Sequence, residues 1–244
     1  MLKPQKTLKL LNHQNEECAN SFTLLNWNIA KESQNSAFQN YLQEIITDEK
    51  VDFIALQEVK EHLSQPNSLK DFSYVISANM QTSKHIFGVL NAFKFSCTNH
   101  TALLSSVREL KYATHKSSLI TEHKLQNSST LKVVNLHAIN FVSSQEFKKE
   151  LKQIMLEISS YSGALIVTGD FNTWSTKRLQ HLKEFIKDLS LIEVNFQSSQ
   201  HIKQVFSKSL DYVFYRGLKV ENSKVIKCEK HSDHNPMVVS FRVL

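Results

Sequence analysis

Three cysteines, Cys18, Cys97 and Cys228, are all that the 244 residues contain. Their odd number and wide spacing exclude a paired disulfide framework and give no pattern of zinc ligands. They read as reduced thiols. No apolar run approaches the roughly 20 residues of a membrane-spanning helix, and the longest candidates, such as Ala164 to Val167, are strand-sized. Residues 1–20 carry lysines but lack the apolar stretch of about 7 to 15 residues at the centre of a secretory signal, so a cytoplasmic protein is expected. Linker-like stretches, internal repeats and low-complexity tracts are missing as well. One domain over residues 21–244 is expected, preceded by an N-terminal extension over residues 1–20.

What is present is the composition of an ordinary globular protein, with 41% apolar and 21% charged residues, enough to bury a sizeable core. A formal charge of +6 gives a polyanion a modest long-range attraction, but a lysine-rich solvated surface explains it equally well.

Ser21 to Ile29 reads as a strand, and Ser33 to Lys50 as a helix with Phe38, Leu42, Ile45 and Ile46 at helical intervals. Val51 to Val59 is a second strand-length run, so the chain opens β-α-β. From Phe72 to Lys124 short runs broken by Asn, Ser and Gly predict antiparallel strands. A strand over Leu131 to Phe141, a helix over Gln145 to Tyr161 and a strand over Ala164 to Asp170 form a second β-α-β unit. Thr176 to Leu189 predicts a helix facing the core through Leu179, Leu182, Phe185 and Ile186. Strands follow near Leu210 to Tyr215, Lys219 to Ile226 and Met237 to Val243. Two such halves joined by antiparallel connections predict sheets packed face to face with helices outside.

The polar residues that carry chemistry interrupt the ends of apolar strands. Asn28 closes the first, Glu58 the second, His137 the strand through Val133 and Leu136, and Asp170 the strand through Leu165 and Val167. Strand ends are where open α/β sheets place ligands. Singly, Asn28 is also a turn former, Glu58 a surface charge and His137 a hydrogen-bonded core histidine. Together they are costly to desolvate unless they share a metal and a substrate. Gly169-Asp170-Phe171-Asn172 adds a tight exit with an acid and an amide two residues apart, alternatively an Asx turn. Ser232-Asp233-His234-Asn235-Pro236 sets an acid beside a histidine just before the last strand, alternatively a capped loop.

The blocks Trp27-Asn28, Leu56 to Glu58, Asn135 to His137, Gly169 to Asn172, Leu210 to Tyr212 and Ser232 to His234 occur in one order across residues 27–234. In that order they resemble the endonuclease/exonuclease/phosphatase superfamily, and their longer wording is similar to a small bacterial branch of it. The resemblance implies an α/β fold, a four-layer α-β-β-α sandwich of two mixed, mainly antiparallel sheets, with the site at one rim between them. It implies that Glu58 and Asn28 hold Mg²⁺, with Mn²⁺ as a substitute, and that Asp233 is a further carboxylate near the metal. It assigns Asp170 and Asn172 to positioning the attacking water and the phosphoryl oxygens. Asp211 and His234 match a dyad in which the acid fixes the tautomer and the imidazole draws a proton from water. His137 matches a general acid for the leaving oxygen.

Two positions depart from the abasic-site repair enzymes of the superfamily. Ala30 stands where they carry an acid, and His137 where they carry tyrosine, which argues against that activity. Asn140 and Lys116 are candidate phosphate contacts, a strand-edge role and an exposed lysine being the plainer alternatives. The expected function is a divalent-metal phosphodiesterase, with nucleic acid as the first substrate considered, acting as a monomer. A phosphomonoesterase or phospholipid head-group hydrolase uses the same residues. A silent binding protein would be expected to lack counterparts of Glu58, Asp170 or His234, and all three are present.

Overall fold

The computed structural model describes residues 7–13, 16–64, 69, 71–110, 114–228 and 230–244. The first half of the chain runs β1 (Leu8–Leu10), β2 (Ser21–Asn28), α1 (Ser36–Asp48), β3 (Phe53–His62), β4 (Ser73–Gln81), β5 (His85–Phe93), β6 (Asn99–Leu104) and β7 (Ser117–Lys124). The second runs β8 (Thr130–His137), α2 (Ser144–Ile158), β9 (Ala164–Asp170), α3 (Thr176–Asp188), β10 (Ile192–Glu193), β11 (Gln204–Val205), β12 (Lys208–Ser209), β13 (Asp211–Arg216), β14 (Leu218–Val225) and β15 (Met237–Val243).

One sheet has the order β1-β4-β5-β3-β2-β15-β14 and the other β10-β13-β9-β8-β7-β6, with β11-β12 a separate hairpin. Among the described strands β2-β3 and β8-β9 pair in parallel, each across its helix, and the other strand pairs are antiparallel. The sheets are thus mixed and mainly antiparallel, as expected.

Period-two alternation divides each strand between two cores. Leu24, Phe53, Val133, Ile166 and Val213 fill the space between the sheets. Leu25, Ile54 and Leu56 face α1 through Phe38, Leu42 and Ile45. Val134, Leu165 and Phe214 face α2 and α3 through Phe147, Ile154, Leu182 and Phe185. Strands covered on both faces read as continuous apolar runs, which is why these were recognisable.

The structure departs from expectation in three places. The described part of the segment before residue 21 packs onto the domain: β1 pairs with β4, and Cys18 is fully buried in the inter-sheet core. The strand expected over Leu131 to Phe141 stops at His137: Ala138 N makes the last bond to the neighbouring strand, at Asp170 O, and the chain then turns away to an exposed Phe141. Helix α3 buries Arg178, Leu182 and Phe185, with Leu179 only partly covered.

A polar bridge crosses the inter-sheet core. Gln57 Nε2 donates to Asn26 Oδ1 at 2.9 Å and to Asn135 Oδ1 at 2.7 Å, joining the two sheets. Asn135 Nδ2 in turn donates to the carbonyls of Leu56 at 3.1 Å and Leu90 at 2.9 Å. All three amides are at most 1% exposed, so the bridge fixes the relative register of the sheets through groups that have no water to fall back on. Asn135→Leu, which keeps the volume and removes the bridge, is expected to destabilise the protein by about 3 kcal/mol. Urea unfolding measures it, and a loss below about 1 kcal/mol would show the sheets to be registered by apolar packing alone.

Candidate active site

Asn28, His137, Asp170 and Asp211 all belong to the inward-facing set of their strands, two residues on from Asn26, Asn135 and Thr168 or two before Val213. Each lies at the strand terminus nearest the same rim: Asn28 closes β2, His137 pairs with Asp170 at the ends of β8 and β9, and Asp170 pairs with Asp211 at the start of β13. Glu58 arrives by another device. The register of β3 against β5 shifts between Leu56 and Val59, and Glu58 has a left-handed φ of 54°, so a bulge brings its side chain to the rim. Gly169 makes the turn into Asp170 possible. Its φ is 138°, and a Cβ there would lie 1.9 Å from Leu136 O.

These ends open into a cavity of about 670 Å³ lined by Asn28, Glu58, Lys116, His137, Asn140, Asp170, Asn172, Asp233 and His234. Asp211 lies behind it, reaching the cavity only through His234, whose Nδ1 is 2.7 Å from Asp211 Oδ2. His234 Nε2 then points into the site, 3.9 Å from Asp170 Oδ2. The His234 loop is held by Trp27 Nε1, which donates to His234 O, and by Ser232 Oγ, which donates to Asn28 O.

Asp170 is 3% exposed. Asn28 Nδ2 donates to its Oδ2 at 3.1 Å and the backbone N–H of Asn172 to its Oδ1 at 3.0 Å. Burial, with Asp211 alongside, nevertheless pushes its carboxyl from 3.8 up to about 7. Burial disfavours the imidazolium of His234, but Asp211, Asp170 and Asp233 outweigh it and raise that group to about 9. His137 shifts the other way. Burial, then Lys116, His234 and Lys31, hold its imidazole neutral and well below the usual histidine range. Lys116 Nζ lies 3.0 Å from His137 Nε2, and Glu58 Oε1 and Asp170 Oδ2 lie 3.8 and 3.6 Å from the same nitrogen.

Asp233 is the least constrained of the expected residues. It is 67% exposed at its side chain, ion-paired to Lys203 at 2.7 Å, with Oδ1 3.9 Å from His234 Nε2. Asn140 lines the wall with its side-chain oxygen already accepting from Trp174 Nε1 at 2.8 Å and its backbone N–H given to Glu109. Asn172 gives its Nδ2 to Ala138 O at 3.0 Å, so one end of that amide shapes the turn.

Four further residues complete the site. Lys31 pairs with Glu58 at 3.4 Å, and Glu109 lies 3.7 Å from Lys116. Arg178, 1% exposed, donates to the carbonyls of Ile139, Asn172 and Val142 and lies over the rings of Phe147 and Trp174. Glu150 Oε2 accepts from Ile139 N at 2.8 Å. This pair fastens the two loops that carry Asn140 and Asn172. One signal for Arg178 was in the sequence: it stands at i, i+4, i+7 with Leu182 and Phe185, the apolar arc of α3. Lys31 and Glu109 had none: Glu58 is distant in the chain from Lys31, and Glu109 meets Lys116 over a stretch of sequence with no periodic pattern.

The donor set suits a hard divalent cation. Glu58, Asp170 and Asp233 offer carboxylate oxygens and Asn28 an amide oxygen on the cavity lining, with no thiolate among the lining residues described.

The sequence pattern of the Endonuclease/Exonuclease/phosphatase family matches residues 25–234. A UPF0294 protein of Photorhabdus laumondii is 34% identical over 231 residues, covering 91% of this chain and 84% of that protein. A UPF0294 protein of Vibrio vulnificus is 42% identical over 127 residues, and there the match spans 44% of the relative's length. Among solved structures, the human Nocturnin catalytic domain with bound sulfate superposes with a TM-score of 0.69 over 98% of this chain and 97% of that one, at 14% identity.

Burial pushes the Glu150 carboxyl from 4.5 up to about 7, against the pull of Ile139 N–H and Arg178. The folded state therefore holds this proton more tightly than the unfolded chain, so the contribution is full below about pH 4.5 and is lost as pH rises through about 7. Glu150→Gln keeps an acceptor for Ile139 N–H and removes the titration. Urea midpoints at about pH 5 and about pH 8 should fall more for the native protein than for the variant. Parallel pH dependences would refute the assignment.

Proposed function

The chain belongs to the endonuclease/exonuclease/phosphatase family, whose members are metal-dependent phosphoesterases and nucleases, and from that premise we propose that it is a divalent-metal-dependent phosphodiesterase hydrolysing a P–O bond by in-line attack of water. One observation carries the reading: the Asp211–His234 pair, joined at 2.7 Å, points Nε2 into a cavity that also presents Asp170 and Glu58.

Glu58, with Asn28 and Asp233 lining the same cavity, would hold Mg²⁺ or Mn²⁺, which would supply charge neutralisation for a phosphoryl oxygen. The chain's own groups do the rest. Asp211 accepts the Nδ1–H of His234, which leaves Nε2 to take a proton from the attacking water. Asp170 orients that water, and Asn172 acts through the turn it shapes. Lys116 and Asn140 face the phosphate.

His137 takes a different part from the general acid expected of it. A neutral imidazole next to the Lys116 ammonium has no readily lost proton, so His137 serves as a hydrogen-bond partner of the phosphoryl group. Lys116 supplies the positive charge. The bound sulfate of the Nocturnin domain supports an anion site in this fold. Free thiols at Cys18, Cys97 and Cys228 suit the reducing cytoplasm proposed as its location.

Activity on bis(p-nitrophenyl) phosphate should vanish in EDTA and return with Mg²⁺ or Mn²⁺. Full turnover in EDTA would end the metal reading. His234→Ala should lower kcat/KM by about 10²- to 10⁴-fold on every diester. For His137→Ala, an alkyl diester and its nitrophenyl analogue separate the two roles. Equal losses are expected, whereas rescue on the aryl ester would restore the general acid. Thermal melts serve as the folding control.

A further inference from the structure

Three large apolar side chains stand exposed around the mouth of the catalytic cavity: Leu110 at 64%, Phe141 at 64% and Phe206 at 78%. Phe141 itself lines the cavity, Leu110 follows the lining residue Glu109, and Phe206 follows Val205. Their backbones share a feature. Leu110, Phe141 and Phe206 have φ values of 47°, 49° and 49°, the left-handed region that suits Gly or Asn and disfavours bulky residues.

Phe206 and Ser207 form the two-residue tip of the β11-β12 hairpin, both with positive φ, where Asn-Gly is the usual choice. At three separate tips the chain therefore carries a side chain that neither the turn nor the solvent favours. Of the positive-φ residues these three are the large apolar ones; Phe141 lines the opening, and Leu110 and Phe206 each directly follow a residue that does. The other exposed large hydrophobics, Leu10, Leu156, Ile192 and Leu244, have no such backbone and neither line the cavity nor follow a residue that lines it.

The charges of the mouth bear on what these tips meet. Lys31 faces Glu58, Lys116 faces Glu109 and Lys203 faces Asp233, so each cavity lysine stands against a carboxylate. A polynucleotide needs a track of cations along its backbone, whereas the three lysines among the described lining residues are each paired with an acid. Leucine also lacks the flat face on which a base stacks. Apolar tips with Arg108 and Lys208 beside them have instead the chemistry of a membrane-interface anchor.

We propose that the mouth docks on a phospholipid surface through Leu110, Phe141 and Phe206, presenting a head-group phosphodiester to the cavity. The substrate class rests on the phosphodiesterase reading; the docking does not. In the reaction the oxygen of water bonds to phosphorus and one P–O ester bond breaks. One water proton goes to His234, and the departing alkoxide takes a proton from solvent water and leaves as an alcohol, with a phosphomonoester as the other product.

The test uses the full chain with Phe206→Asn, Leu110→Asn and the double variant, substitutions that suit the left-handed backbone and so preserve the fold. Co-sedimentation with vesicles of equal parts phosphatidylcholine and phosphatidylglycerol measures docking. Turnover of bis(p-nitrophenyl) phosphate in solution measures chemistry separately. Each single variant should lose about tenfold or more in vesicle partitioning, the burial of one large apolar side chain, and the double variant more. Turnover in solution should be unchanged. Absence of vesicle binding by the native protein, or equal binding by native and variants, overturns the proposal. So does loss of binding to a fluorescent single-stranded oligonucleotide by the variants with vesicle binding unaltered, which would assign the tips to nucleic acid. If vesicle binding behaves as expected while the soluble diester is not hydrolysed, the docking stands and the phosphodiesterase reading falls.

Discussion

A carboxylate buried at the end of β9 constrains everything around it. Asp170 is 3% exposed with Asp211 paired directly across from it, and that neighbouring acid adds to burial in holding the Asp170 carboxyl above its usual range. What surrounds Asp170 reads as compensation: an amide from Asn28, a backbone N–H from Asn172, and the imidazoles of His234 and His137 within 3.9 Å. These groups come from strands of both sheets and from the loop before β15. The site therefore exists only when the two sheets face each other in one register.

Two supports maintain that register. Below the rim, the Gln57–Asn135 bridge commits three buried amides to one alignment of the sheets, since a slip would strand them without partners. Beside the rim, Arg178 and Glu150 close on the backbone of the loops after β8 and β9. A buried arginine and a carboxyl raised to about 7 are poor choices for stability alone. Their hydrogen bonds go to the loops that carry Asn140 and Asn172, which connects a local loss of stability to the placing of the site.

How much of this could be read from the sequence follows from the range of each interaction. Strands buried on both faces appear as apolar runs, and helices with one buried face show a period near 3.6, so both β-α-β units were visible. Asn28, Glu58, His137 and Asp170 stood out because they interrupt such runs at the end. The rest depends on contacts distant in the chain. Nothing local marks Leu8–Leu10 as an edge strand beside β4, or Lys31 as the partner of Glu58. The stop at His137 follows the end of its neighbour β9 at Asp170, whose carbonyl takes the last bond, from Ala138 N. The tips at Leu110, Phe141 and Phe206 escaped notice because their residues contradict the turn chemistry that identifies such positions.

The two histidines of the cavity show how position sets charge. His137 is buried against an ammonium and stays neutral; His234 is buried against Asp211 and is raised to about 9. A base that takes a proton from water must first be neutral, so His234 as it stands holds its proton too firmly for the role proposed. The excess negative charge responsible comes from Asp211, Asp170 and Asp233, the last two lining the cavity. Compensation of that charge by a divalent cation on Glu58 and its neighbours would weaken the hold on the His234 proton and favour ionised Asp170 together. The Asp211–His234 contact of 2.7 Å joins the base directly to the carboxylate that raises it most.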